Sequence, residues 1–135
     1  MKKFKYMLIG LVATLPLILS SCTTRHYWDE EPLLGAWFYN SYDPDLGSYQ
    51  AIYDFYSDGV CRITCTYDYY PQYNYSYDLN YRVNGDLYDY AIIDMWGYAD
   101  GYAINNSYEA TINGYRLTLY GIRGNDSGYV FDLTR

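Results

Sequence analysis

The sequence predicts an all-β domain, an eight-stranded antiparallel up-and-down barrel, on three observations. Turn-forming residues recur every 8–15 positions beyond residue 33. The runs between them alternate apolar and polar side chains, the two-residue period of a half-buried strand. No stretch of that region carries the 3.6-residue period of a long amphipathic helix. Periodicity does not separate a barrel from two packed sheets, so a β-sandwich stands as the alternative.

The strands are expected at 36–42, 50–56, 60–67, 74–83, 86–95, 102–112 (with an interruption), 115–121 and 129–135. Asp43-Pro44-Asp45-Leu46-Gly47 makes a loose turn after the first, and Ser57-Asp58-Gly59 a tight one after the second. Asn84-Gly85 and Asn113-Gly114 suit type I′ hairpins, whose two central residues both need positive φ. In the fourth strand Tyr75, Tyr77, Leu79, Tyr81 and Val83 share the inner face, with Asn74, Ser76, Asp78, Asn80 and Arg82 outside. Tyr108, Ala110 and Ile112, then Tyr115, Leu117 and Leu119, then Tyr129, Phe131 and Leu133 repeat the pattern. Leu87 through Trp96 fits neither phase, which predicts a bulge in the fifth strand.

Residues 1–21 have the three parts of an export signal. Lys2, Lys3 and Lys5 lead, an apolar run follows from Tyr6 to Leu19, and small residues precede Cys22. Pro16 breaks the run, which falls short of the roughly 20 apolar residues of a spanning helix. Leu19-Ser20-Ser21-Cys22 resembles the lipobox of bacterial lipoproteins. That resemblance implies cleavage before Cys22, a diacylglyceryl group on its thiol and an acylated amine, so that the bilayer is held through Cys22. Several chains on one residue are what stable anchoring needs. Residues 22–32 then form a tether and 33–135 the domain.

Removal of the leader takes three of nine basic residues, leaving six arginines against 16 acids, a net charge of −10. Such a surface repels nucleic acid and favours solubility. The precursor holds 22 tyrosines, of which one lies in the leader, so aromatic area must supply much of the core. Cys61 and Cys65 stand four apart in one strand, roughly 13 Å at about 3.3 Å per residue. A disulfide needs less than about 7 Å, and both are read as buried free thiols.

Gly35-Ala36-Trp37 at the start of the first strand resembles the Gly-X-Trp motif of lipocalins. Tyr53-Asp54-Phe55-Tyr56-Ser57-Asp58-Gly59 and the final Tyr129-Val130-Phe131-Asp132-Leu133-Thr134-Arg135 resemble small lipocalin-like lipoproteins of Bacteroidetes-type bacteria. The resemblance implies a barrel closed at one end and open at the other. Topology adds that the first strand's start and the last strand's end are neighbours. Trp37 and Arg135 should therefore meet, and the resemblance carries over an arginine covering the tryptophan. Gly35, Trp37 and Arg135 are the expected barrel closure, with a cation–π contact of about 0.5–2 kcal/mol.

No enzyme chemistry is expected. The single histidine, His26, lies in the tether, so the domain lacks the means for a Ser-His-Asp arrangement or a histidine metal site. The mature chain has no lysine for a Schiff base, and no phosphate-cradling or dinucleotide motif implies a cofactor. What is left is binding. An eight-stranded barrel either fills itself with side chains or holds one small ligand. The candidate ligand-binding residues are Tyr75, Tyr77 and Tyr81, with Asp89 and Asp94, one of which faces inward if the fifth strand bulges. The alternatives are an envelope-protein interaction module or a glycan binder. Both would use the tyrosine-rich segments Asp68-Tyr69-Tyr70-Pro71-Gln72-Tyr73 and Trp96-Gly97-Tyr98, read as loops. In the proteobacterial lipoprotein pattern that this segment resembles, an aspartate after the cysteine retains the protein at the inner membrane. Thr23 stands there instead, and the resemblance therefore implies the outer membrane, facing the periplasm or the cell surface.

Overall fold

A computed structural model describes residues 31–135. The leader, Cys22 and the tether as far as residue 30 lie outside the described residues. The remainder is a closed barrel of eight antiparallel strands, each paired with its neighbours in sequence and the last with the first. The up-and-down barrel is therefore correct, and the sandwich is excluded.

A single 3₁₀ turn, Glu31–Leu33, leads into β1 (Gly35–Asp43), followed by β2 (Gly47–Phe55), β3 (Val60–Tyr67) and β4 (Tyr75–Asp86). A second short 3₁₀ turn, Pro71–Tyr73, precedes β4. The sheet continues through β5 (Tyr90–Ala99), β6 (Tyr102–Asn113), β7 (Arg116–Arg123) and β8 (Val130–Thr134). Alternation places Trp37, Tyr53, Phe55, Cys61, Ile63, Leu79, Tyr81, Ile93, Met95, Leu117, Leu119 and Leu133 in one core. Cys61 and Cys65 are free and buried on the inner face of β3.

Two turn expectations need correction. Asn84 and Gly85 are inside β4, paired with Ile92 and Ala91, and the chain reverses after Asp86. Gly85 has positive φ, and a Cβ there would stand 2.5 Å from the Tyr90 carbonyl oxygen. Its glycine signature marks close backbone approach, not a hairpin. At β6–β7, Asn113 pairs with Arg116, so Gly114 and Tyr115 are the central residues, and of these only Gly114 has positive φ. That pattern fits a type II′ turn. The turn with positive φ at both positions is Asp100-Gly101, between β5 and β6.

The expected bulge in the fifth strand is also absent: β5 pairs without interruption to β4 and β6. Two things obscured its phase. Leu87 is buried from a turn rather than from the strand, and Ile92 and Trp96 put apolar groups on the outer face. The register shift instead falls between β6 and β7, where Ser107 faces Arg123 but Tyr108 faces Gly121, leaving Ile122 extra. Tyr115 and Tyr129, expected inside, are exposed at strand ends.

Odd and even strands run oppositely, which gives the barrel two different ends. At one, Leu87 folds under the strands and its carbonyl accepts from the Ile112 N–H at 2.6 Å. The Tyr81 hydroxyl reaches the Tyr56 carbonyl at 2.7 Å, and its ring meets Phe55 edge-on. Trp37 is fully buried there, donating from Nε1 to the Leu33 carbonyl, with the Arg135 guanidinium 4.2 Å over its ring. The opposite end is formed by the β1–β2, β3–β4, β5–β6 and β7–β8 connections.

Candidate functional site

The half of the barrel away from Trp37 is lined by tyrosine. Tyr39, Tyr49 and Tyr77 are half-buried on the inner face, alongside Ile104 and Phe131. The Phe131 ring meets Tyr39 edge-on at 5.5 Å and Tyr108 at 6.3 Å. Tyr53, the register partner of Trp37 on β1 and of Ile63 on β3, forms the floor of this half. The buried inward strand positions carry no charged side chain.

A carboxyl group nevertheless enters from a loop. Between β7 and β8 the chain folds back over the barrel: Gly128 donates to the Gly121 carbonyl, Gly121 to that of Tyr129, and Tyr129 to that of Asp126. Gly121 permits this, because a Cβ there would overlap the Asp126 backbone oxygen. Gly124 permits it too, since its Cβ would strike Asn106 Oδ1. The result aims Asp126 inward. Its Oδ2 accepts from the Tyr108 hydroxyl in a short hydrogen bond and from Asn106 Nδ2 at 3.1 Å. Asn106 also donates to the Tyr108 oxygen, and its Oδ1 accepts the Asn125 N–H at 2.9 Å. Loop and wall are thus locked through one buried amide.

The surrounding phenols are held in their neutral form. Burial pushes Tyr53 well above the usual tyrosine range, and nearby Tyr108, Tyr77 and Asp126 add to it. Tyr77 is pushed up to about 12 by burial and by the charge of Asp126. Tyr108 also rises, through burial and then its bond to Asp126. Burial raises the Cys61 thiol as well. At neutral pH this lining therefore offers hydroxyl donors around one acid. Tyr108 has spent its donor on Asp126. The hydroxyls of Tyr53 and Tyr77 make no hydrogen bond to a described residue, although Tyr53 is only 7% exposed. Among the described residues no buried side-chain oxygen or nitrogen lacks a hydrogen-bond partner, so these two hydroxyls reach open space and are free to bond water or a ligand.

The five residues expected from sequence to bind a ligand part company. Tyr77 lies inside, beside the Asp126 cluster. Tyr75 sits at the rim, half exposed and stacked on Tyr77 at 5.9 Å. Tyr81 is committed to the other end by its bond to Tyr56. Asp89 is exposed in the β4–β5 turn, and Asp94 is on the outer face, bonded to Ser107 and Arg82. Neither aspartate faces inward, because the bulge on which that depended lies elsewhere. Trp96-Gly97-Tyr98, expected as a loop, is part of β5, whereas Asp68–Tyr73 does connect strands and exposes Tyr69, Tyr70 and Tyr73.

Sequence reasoning missed Asp126, Asn106 and Tyr53 as members of the site. A signal for the first was present: glycines at 121, 124 and 128 surround Asp126, as a segment that must pass close to other backbone requires. No family model, curated protein or solved structure matches this chain.

Proposed function

We propose that this chain is a non-catalytic, lipid-anchored binding protein of lipocalin-like architecture. Its open barrel end takes a small, partly apolar molecule carrying a hydrogen-bonding group. The observation that carries the reading is the pair of unbonded phenol hydroxyls, Tyr53 and Tyr77, beside the Asp126–Tyr108–Asn106 cluster. Aromatic faces supply apolar contact, and a few placed polar groups supply orientation, the usual division of labour in a small-molecule site. Asp126 would accept a hydroxyl or amine of the ligand, while the neutral phenols would donate.

The lipobox-like Leu19-Ser20-Ser21-Cys22 supports attachment at Cys22, and Thr23 supports the outer membrane. Glu31 and Arg135 belong to the same end of the barrel, the end capped by Trp37. A tether entering there leaves the tyrosine-lined opening directed away from the anchor.

Native mass spectrometry tests the binding reading on residues 24–135 purified from the periplasm of the natural host. A reproducible added mass, lost on denaturation and reduced by Asp126→Ala, supports it. A clean apo mass from the unaltered protein sinks it. Radiolabelled palmitate tests the anchor separately: incorporation should vanish in Cys22→Ala.

A further inference from the structure

The outer wall carries a second constellation that the barrel interior does not explain. Arg82, Asp94, Ser107 and Arg123 fall on one register line across β4, β5, β6 and β7. Asp94 Oδ1 accepts from the Ser107 hydroxyl at 2.6 Å and lies 3.7 Å from Arg123, while Oδ2 accepts from Arg82 at 3.0 Å. Asp94 sits below the usual carboxylate range: burial works against its charge, but those hydrogen bonds and the two arginines outweigh it. Ser107 is 4% exposed although it points outward. One line further toward the open end stand Asn80, Trp96 and Asn105. Of these, Arg82, Asp94, Trp96, Asn105 and Arg123 border, with Tyr98 and the small Ala103, a groove of about 440 Å³.

The charge balance of the groove is opposite to that of the chain. Two guanidinium groups face one carboxylate here, in a protein of net charge −7. Their side chains are 66% and 62% exposed. Each guanidinium has five N–H donors. Arg82 spends one on Asp94, and Arg123 one on Asn105 at 3.3 Å. Arg62, by contrast, commits both arms of its fork to Asp78. Asp94 thus holds two arginines at the groove with most of their donors unspent. Beside them Trp96 and Tyr98, two apart on β5, expose ring area on the same face. The amides of Asn80 and Asn105 flank Trp96.

Planar guanidinium donors bind carboxylate and sulfate in pairs. An exposed aromatic face takes the apolar C–H face of a pyranose, and side-chain amides take its hydroxyls. We infer that this groove binds an acidic saccharide, with a sugar ring against Trp96 and its carboxylate or sulfate between Arg82 and Arg123. The site is on the outside of the wall and stands independently of any ligand inside the barrel.

The test is calorimetric titration of the full-length protein in detergent with three probes: a galacturonate tetrasaccharide, a chondroitin sulfate tetrasaccharide and the neutral galactotetraose. Saturable binding of at least one acidic probe, roughly tenfold or more tighter than the neutral one, is expected for a paired-arginine site. Preference for the uronate assigns the carboxylate as the recognised group, and preference for the chondroitin probe assigns the sulfate. Trp96→Ala should weaken binding about tenfold by removing the stacked face. Arg123→Gln should erase the preference for acid over neutral sugar, while Tyr88→Ala, an exposed tyrosine at the other end of the barrel, should change nothing. Unaltered melting temperatures for Trp96→Ala and Arg123→Gln confirm that the fold is kept. Failure of every probe to bind, equal affinity for neutral and acidic probes, or an affinity indifferent to Trp96→Ala overturns the inference.

Discussion

Arg135 places its guanidinium 4.2 Å from the centre of the Trp37 ring, and the two side chains share three consecutive carbonyls. Pro32 and Leu34 accept from Arg135, and Leu33 accepts from Trp37. The Arg135 backbone N–H is also bonded, to the Tyr115 carbonyl at 3.1 Å. The start and the end of the domain are thereby tied at one point.

Trp37→Ala should lower stability by about 3–5 kcal/mol, the cost of deleting a fully buried ring. Arg135→Ala should cost less, about 1–3 kcal/mol, from the lost stacking and two hydrogen bonds. Thermal melts of both single variants and the double variant check this. The double should fall short of the sum, because the arginine has no ring left to cover. Unchanged melting temperatures in both singles would contradict the cap.

Gly121→Ala and Gly124→Ala should each destabilise by about 2 kcal/mol or more, because a Cβ meets backbone or a locked amide. Gly114, like Gly124, sits at positive φ, but in open space. Gly114→Ala should show only conformational strain, about 1 kcal/mol. Limited proteolysis separates the two effects: cleavage between residues 123 and 129 should accelerate in the first two variants and not in the third.

Alkaline pH should unfold the protein earlier than its sheet content alone implies. Tyr53, Tyr77 and Tyr108 are raised mainly by burial, so the folded state keeps protons that the unfolded chain gives up near 10. Stability is fully present below that value and declines as the pH climbs toward about 12, where Tyr77 itself ionises. Melting temperatures from pH 8 to 12 should fall above about pH 10, and less steeply in Tyr53→Phe. A flat profile to pH 12 would mean that these phenols ionise freely.

Both domain thiols should resist modification. Cys61 and Cys65 are buried, and burial holds each thiol in the protonated, unreactive form. A disulfide reagent should react slowly with the native domain and rapidly with both cysteines in denaturant. A fast native reaction at either position would show that β3 opens.

The strand pattern was legible where one face is wet. β4 alternates without exception from Tyr77 to Val83, and its inward residues follow from sequence alone. β5 was harder because Ile92 and Trp96 are apolar on the outer side. Glycine was ambiguous for a physical reason: positive φ serves a turn at Gly101 and close backbone contact at Gly85, and sequence does not tell the two apart. Asp126 was the largest omission. A loop has no periodicity to report that it folds inward, so the acid whose charge acts on the unbonded phenols was hidden, while Asp94 and Asp89 drew attention inside strands and turns. The pairing of Trp37 with Arg135 was recoverable because an even strand number brings both chain ends of a barrel together.

The strand order has a further consequence. Seven pairings join consecutive strands and the eighth joins the last to the first, so the topology is a ring that names no starting strand. Opening the chain at the Asp100-Gly101 turn and linking Arg135 to Glu31 would preserve every pairing. Exposed turns of this kind are where such rearrangement is tolerated. The permuted chain would carry the cap at its middle, and its new ends would emerge on the tyrosine-lined side. Attached to a surface by those ends, the same barrel would present its Trp37 face to the surroundings. Orientation is thus a property of where the ring is cut, and not of the ring itself.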